Sequence, residues 1–420
     1  MNIRILISGL ILTAIPFTAF TKSAPNYNSL RALSMGNAFV AVADDYNTIY
    51  YNPAGLNNLN KLGEYEERPD LGYYRNNSFD GRISLQGVGP DILGIGTDFK
   101  NFYTGHSGTF DALAGTGDVS PEEAIAADED LYNDMAFLDR ISIPVGLGYE
   151  MALAMHNFGA AFWTQAEMKM LFDTGIAIPA AEIEYVDAAI EGQLQTAYEI
   201  DPQLSVGIGY RLLINSRIEN VPLSIEEVTI ILENPEDVMS INNLEGQVNE
   251  AQNNVINPKK WNHGFDLGGL YQYSREVRLG GSITNIFING INGEKVTPNL
   301  TIGMVFSPRK WQRNTLHGRK INFAVDFADA INNDRNYKTF SHLNMGAELQ
   351  QTWLGIPWLN LNLLETRIAG GFKGGYWTGG TGLSLAHYIH LQLATWANED
   401  GYFTGHKPNR RWAGELSLGF

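Results

Sequence analysis

The chain has no cysteine among its 420 residues. Disulfides and thiolate metal sites are therefore excluded. Positive charge is scarce as well: 29 Lys and Arg stand against 46 Asp and Glu, a formal net charge of −17. That balance argues against a nucleic-acid partner. After residue 20 no run of 18 apolar residues occurs, so spanning helices are excluded. Catalytic signatures are missing too: there is no G-x-S-x-G, H-E-x-x-H or G-x-x-x-x-G-K. The eight His are scattered. His387 and His390 form the one close pair, and they flank a strand turn without a third ligand, which reads as turn surface rather than a metal site. No catalysis, cofactor or metal is expected.

What is present starts with a leader. Arg4 precedes an apolar run, Ile5 to Phe20, broken only by Ser8, Gly9, Thr13, Pro16 and Thr18. A basic start, an apolar middle and small polar residues afterwards mark a secretory signal peptide over 1–23, with cleavage expected between Ala19 and Ala24. Glycine (44), tyrosine (19) and phenylalanine (20) are abundant. Barrels use glycine in tight turns and crowded lumens, and aromatics in interfacial girdles. A secreted chain without spanning helices but rich in alternating segments fits the other spanning solution, a closed barrel.

The alternation is regular. Ile141, Ile143, Val145, Leu147, Tyr149, Met151 and Leu153 form one face, opposite Ser142, Pro144, Gly146, Gly148, Glu150 and Ala152. Leu204 to Ile214, Leu300 to Phe306 and Ile321 to Phe327 repeat it. A soluble sandwich would alternate as well, but with strands of about six residues; spanning strands need about nine to eleven. Fourteen strands are expected, near 70–88, 140–153, 156–173, 191–200, 203–217, 263–273, 275–287, 298–307, 320–329, 340–352, 358–371, 375–386, 388–397 and 410–420. Residues 91–103 are an alternative source for a strand. Connections after the second, fourth, sixth and twelfth strands are short, and several of the others are long. That parity suits periplasmic turns alternating with outer loops. The expected organisation is a leader (1–23), an inner hatch (24–62) and an all-β transmembrane barrel (63–420), with long outer loops at 89–139 and 218–262. Acidic helices are expected within those loops, at Pro121–Arg140 and Pro235–Asn254. They form either a solvated anionic surface, the favoured reading, or a ligand-capturing one.

Charged residues on the strands fall on one face. Glu150, Arg211, Asp266, Arg278, Asp326 and Glu415 alternate with apolar neighbours, which places them towards the lumen, because a charge facing lipid is costly. They either pair with one another and the hatch, which is favoured, or bind substrate. Pro144 lacks the N–H that a ladder requires, so a bulge or gap is expected there. It is either an irregularity near the rim or a sideways opening.

Two segments carry resemblances. Trp412, Leu416, Leu418 and Phe420 alternate to a terminal aromatic. This resembles the final strand of bacterial outer-membrane barrels, where it serves as an assembly signal and implies the barrel assembly machinery, outer-membrane lipid and lipopolysaccharide as partners. Residues 29–59 are rich in small and apolar residues, with Asp44 and Asp45 able to turn the chain and Asn52-Pro53 fixing a turn. The pieces Met35-Gly36-Asn37-Ala38, Ala43-Asp44-Asp45 and Asn52-Pro53-Ala54 resemble the hatch of the FadL-like outer-membrane transporters. The resemblance implies passive transport of hydrophobic small molecules such as fatty acids, with Gly36, Asp44, Asp45, Asn52, Pro53 and Ala54 as the hatch motif. It implies Pro144 as a lateral exit. Relatives with similar openings accompany secretion or conjugation, so the alternative is a non-transporting barrel that scaffolds or shuttles protein partners.

Overall fold

A computed structural model of the chain describes residues 29–59, 79–91, 104–113, 120, 123–124, 127–128, 130, 142–173, 180–223, 262–288, 297–308, 319–331, 339–356, 361–386, 388–399 and 408–419. The leader, residues 70–78 of the expected first strand, residues 92–103, the 235–254 helix and Phe420 lie outside them.

Fourteen strands form one sheet: β1 (Phe79–Pro90), β2 (Ser142–Met155), β3 (Phe158–Asp173), β4 (Ala180–Asp201), β5 (Leu204–Leu223), β6 (Asn262–Gln272) and β7 (Val277–Ile286), then β8 (Asn299–Phe306), β9 (Arg319–Phe327), β10 (Leu343–Ile356), β11 (Leu361–Lys373), β12 (Tyr376–Leu385), β13 (Ile389–Glu399) and β14 (Pro408–Gly419). Each pairs antiparallel with its sequence neighbours, and β1 pairs with β14 from Arg82–Gly419 to Pro90–Arg411, which closes the barrel. Closure leaves no edge strand unpaired. Among the described residues no helix is long and apolar enough to cross a membrane.

The largest departure from expectation is β4, which starts at Ala180 rather than 191. Residues 180–190 alternate only in two short pieces, Ile183 and Tyr185 against Glu182 and Glu184, then Val186, Ala188 and Ile190 against Asp187 and Ala189, and the parity slips between them. Ladders to β3 and β5 on both sides hold them extended instead. Between β1 and β2, α3 (Ser107–Leu113) forms; of the expected 121–140 helix, Glu123, Ala124 and Ala127 are the helical positions among the described residues. Among the described residues two short helices precede the barrel, α1 (Leu30–Ser34) and α2 (Thr48–Tyr51), followed by a 3-10 turn over Pro53–Asn58.

Polarity is inverted relative to a soluble protein. Leu147, Leu194, Ile302, Leu393 and Leu416 are exposed on the outer face, while Glu150, Glu191, Asp326, Glu348 and Glu415 are buried within. An outward apolar band around a polar interior is what a hydrocarbon surround favours.

No bulge occurs at Pro144. The ladder to β3 runs through Pro144–Lys169 without a shift in register. On the other side, the β1 ladder ends at Val88–Gly146, before Pro144 is reached. A proline placed past the end of a ladder removes no bond from it. Register shifts lie elsewhere, for instance at Phe265/Leu267 between β6 and β7.

Candidate functional site: the inner segment and its socket

Residues 29–59 are buried almost throughout. Helix α1 packs on β11, β12, β13 and β14, and the 3-10 turn packs on β3, β4, β5 and β6. A segment that meets inward faces from opposite sides of a closed ring lies inside it.

Local sequence explains its shape. The Ser29 hydroxyl caps α1 by accepting from the Ala32 N–H. Gly36 takes φ +68° and sits against the backbone of Met345 and Phe372, where a side chain has neither room nor a favourable conformation. The Asp45 carboxylate accepts from the Asn47 N–H at 3.0 Å, a local turn bond. Asn52 caps the 3-10 turn: its Oδ1 accepts from the Ala54 N–H at 3.1 Å, and Pro53 occupies the first position. The Asn52 amide donates to Val40 O at 2.8 Å and to Gly269 O of β6 at 3.2 Å. Asn52, Pro53 and Ala54 are all buried.

The barrel meets this segment with missing side chains. A Cβ on Gly268 would collide with Asn52 Oδ1 and lie 2.8 Å from Pro53 Cδ. One on Gly280 would lie 2.6 Å from Val40 O, and one on Gly346 would lie 2.7 Å from Met35 Cα. Ala324 of β9, Ala394 of β13, Ala413 of β14 and Ala152 of β2 continue the belt with small buried side chains. Backbone therefore packs on backbone around much of the ring.

Charge fixes the remainder. Arg31 forms a fork to Glu348 of β10, Nε to Oε2 at 2.7 Å and Nη2 to Oε1 at 2.6 Å. Its Nη1 donates to Asp44 and Asp45, each at 2.7 Å. Lys320 pairs with Asp44, and Arg367 approaches Glu348 at 3.2 Å. Bidentate charge-assisted bonds are strong and directional. Burial alone would raise the Asp44 carboxyl, but Arg31 and then Lys320 hold it well below the usual carboxylate range. Burial works against the Arg31 charge, and Asp44, Glu348 and Asp45 more than offset it.

Of the charged strand residues, Asp326 and Arg278 bond the inner segment, and Arg211 and Asp266 bond groups on neighbouring strands. Asp326 accepts from the Phe39 and Val40 N–H groups at 2.7 and 2.8 Å. Arg278 donates to Ala41 O at 2.7 Å and to Val42 O. Arg211 forks to Glu191 at 2.8 and 2.9 Å and donates to Asn285 at 2.7 Å. Asp266 accepts from the Asn285 N–H at 2.9 Å. Glu150 and Glu415 are buried where β2 and β14 flank β1. Trp412, Leu416 and Leu418 are exposed on the outer face of β14. Sequence reasoning missed Arg31, Glu348, Lys320 and Glu191. Arg31 carried a signal, being one cation within an apolar stretch.

No family model and no curated protein sequence matches the chain. Among solved structures it is similar to the Ralstonia pickettii toluene transporter TbuX, at 9% identity, with 94% of this chain and 98% of that chain covered and a TM-score of 0.46. It is similar to the Pseudomonas putida toluene transporter TodX at 10% identity, with 96% and 98% covered and a TM-score of 0.41. Likeness at this level transfers neither ligand nor activity.

Proposed function

We propose that the protein is a bacterial outer-membrane channel, without catalytic activity, that passes hydrophobic small molecules past a seated plug. The observation that carries this reading is the inner segment itself. An open porin needs a water-filled lumen, whereas residues 29–59 occupy this one and are bonded to strands around it. The FadL-like resemblance of its Gly36, Asp44-Asp45 and Asn52-Pro53-Ala54 pieces supports a gated hydrophobic route. The apolar outer band supports membrane residence. Fatty acids and aromatic hydrocarbons are the ligand classes to test.

Proteoliposomes loaded with a fatty-acid-binding fluorophore provide the assay. Uptake of labelled oleate above that of empty liposomes, with small-sugar leakage held at background, is the expected result. Oleate flux equal to that of empty liposomes would remove the transport reading. Stoichiometric recovery of a protein partner from native membranes, in its place, would favour the scaffolding alternative.

A further inference from the structure

The inner segment does not lie level in the barrel. Gly36 abuts the backbone of Met345 and Phe372, near the start of β10 and the end of β11. This is the end from which the long β1–β2 connection leaves, the outer end in the channel reading. Asn52, Pro53 and Ala54 abut Gly207, near the start of β5, and Gly268, past the middle of β6, towards the opposite end. The segment therefore sits high under β10 and β11 and low under β5 and β6, so the lumen above it is deepest on the β5–β6 side.

On that side β7 breaks its regular course. Between the pairs Phe265–Ile286 and Leu267–Ile283 the ladder has one residue on β6 and two on β7, which is a bulge. Within it Asn285 takes φ +63°, and Phe287 follows at φ +65°. A bulky side chain in the left-handed region is strained and persists only where its surroundings impose it. Here they do: the Asn285 N–H donates to Asp266 Oδ1 at 2.9 Å, and its Oδ1 accepts from Arg211 Nη1 at 2.7 Å. Phe287 consequently turns out, 77% exposed, and Ile288 turns in, 4% exposed. Ile288 fills a notch at Gly264, where a Cβ would collide with its Cγ1 and lie 2.8 Å from its Cδ1. Gly264 shares the inward face of β6 with Asp266 and Gly268. It lies four residues before Gly268, roughly 13 Å along the strand. Ile288 thus stands in the lumen on the outer side of the Asn52-Pro53 turn, where the inner segment lies low.

We propose that Ile288 is a gate residue, an apolar stop that hydrophobic cargo displaces on its way to the inner segment, and that Asn285 is the positioning residue that holds it inward. This rests on the channel reading and adds a size filter to it. Because Ile288 is packed rather than open to the lumen, cargo cannot pass along this wall without moving it. Its side chain offers polar solutes no bond, whereas an apolar chain replaces the contacts it breaks. The strained turn beside it is of the kind found at clamps and switch regions.

The test is proteoliposome uptake of two fatty acids, slim labelled oleate and a bulkier pyrene-bearing chain, by the full-length wild type and by Ile288→Ala, Ile288→Val and Ile288→Trp. Heat-modifiable gel mobility checks that each barrel is closed. The ratio of bulky to slim uptake should rise about tenfold in Ile288→Ala, since even one methylene decides about that much in an apolar pocket. It should rise less in Ile288→Val and fall in Ile288→Trp. A merely structural role changes both rates together and leaves the ratio alone. Asn285→Val, which disfavours the left-handed turn, should reproduce the Ile288→Ala ratio, while Asn285→Gly, which keeps the turn without the Arg211 bond, should stay near wild type. Equal ratios across the wild type and the three Ile288 variants overturn the gate and leave the channel reading standing. Wild-type uptake of neither fatty acid above that of empty liposomes overturns both. A wild-type ratio in Asn285→Val beside a shifted one in Ile288→Ala overturns the part assigned to Asn285.

Discussion

Gly268 and Gly269 are adjacent on β6 and face opposite ways, which makes them a matched pair. At Gly269 an added Cβ meets nothing within 4 Å. At Gly268 it collides with Asn52 Oδ1 and lies 2.8 Å from Pro53 Cδ, where ordinary contact begins at 3.4 Å. Gly268→Ala therefore forces the Asn52-Pro53 turn inward. Overpacking of this kind costs about 1–3 kcal/mol. The retreat also stretches the Asn52 bond to Gly269 O, already 3.2 Å, at about 1 kcal/mol more. A total of about 2–4 kcal/mol shifts the ratio of unseated to seated segment roughly 30- to 1,000-fold, at about 1.4 kcal/mol per tenfold. Gly269→Ala should shift it not at all. The assay is single-channel recording in planar bilayers, with heat-modifiable gel mobility as the check that each barrel is closed. Gly268→Ala should show frequent openings against a quiet wild type and a quiet Gly269→Ala. Equal opening frequencies in the two variants would falsify the backbone-on-backbone socket.

Asn52→Ala leaves Val40 O and the Ala54 N–H without their partner, at about 1–3 kcal/mol, so small-solute leakage from liposomes should rise while expression holds. Arg31→Ala strands Asp44, Asp45 and Glu348 in a buried place and should destabilise the segment by about 3–5 kcal/mol, read as lost protease protection of residues 29–59. Arg31→Lys, which keeps the charge without the fork, should fall between. Acid should loosen the segment through Asp44, whose carboxyl lies lower folded than unfolded. Its contribution is complete above the unfolded value of about 3.9 and disappears as pH falls through the depressed one, so leakage should appear below about pH 4, whereas Asp44→Asn, which lacks the titrating carboxyl, should leak already at neutral pH. Pro144→Val extends a residue that can donate beyond the end of the β1 ladder; if hydrophobic ligand leaves sideways there, labelled oleate uptake slows, and identical uptake in both proteins rejects that exit.

The strands were legible because lipid imposes the same demand on each of them. Every spanning residue must face either hydrocarbon or lumen, so Leu147 beside Gly148 and Leu416 beside Ser417 alternate in plain sight. Where the parity slips, as in β4 between Tyr185 and Val186, the pattern is broken while the ladder continues. The turns of the inner segment are legible for a different reason. Asp45, Asn52 and Pro53 shape the backbone within two residues of themselves, and such physics is written locally. The socket is not local. Arg31 and Glu348 are 317 positions apart in sequence, and only the register of β10 around a closed ring brings them together. The excess of glycine was visible, but its purpose was not. Gly268 and Gly269 are the same residue to a sequence reader, and only the parity of β6 makes one a contact with Asn52 and the other part of the outer surface. Pro144 shows the converse case. A closed barrel has no edge strand, and from this a bulge or gap was expected; the β3 ladder runs through Pro144 without a shift and the β1 ladder stops at Val88–Gly146, two residues short of it, so the proline interrupts no bond. The residues that seat the inner segment are thus set by which strand stands opposite which, a property of closure that no single stretch of chain contains.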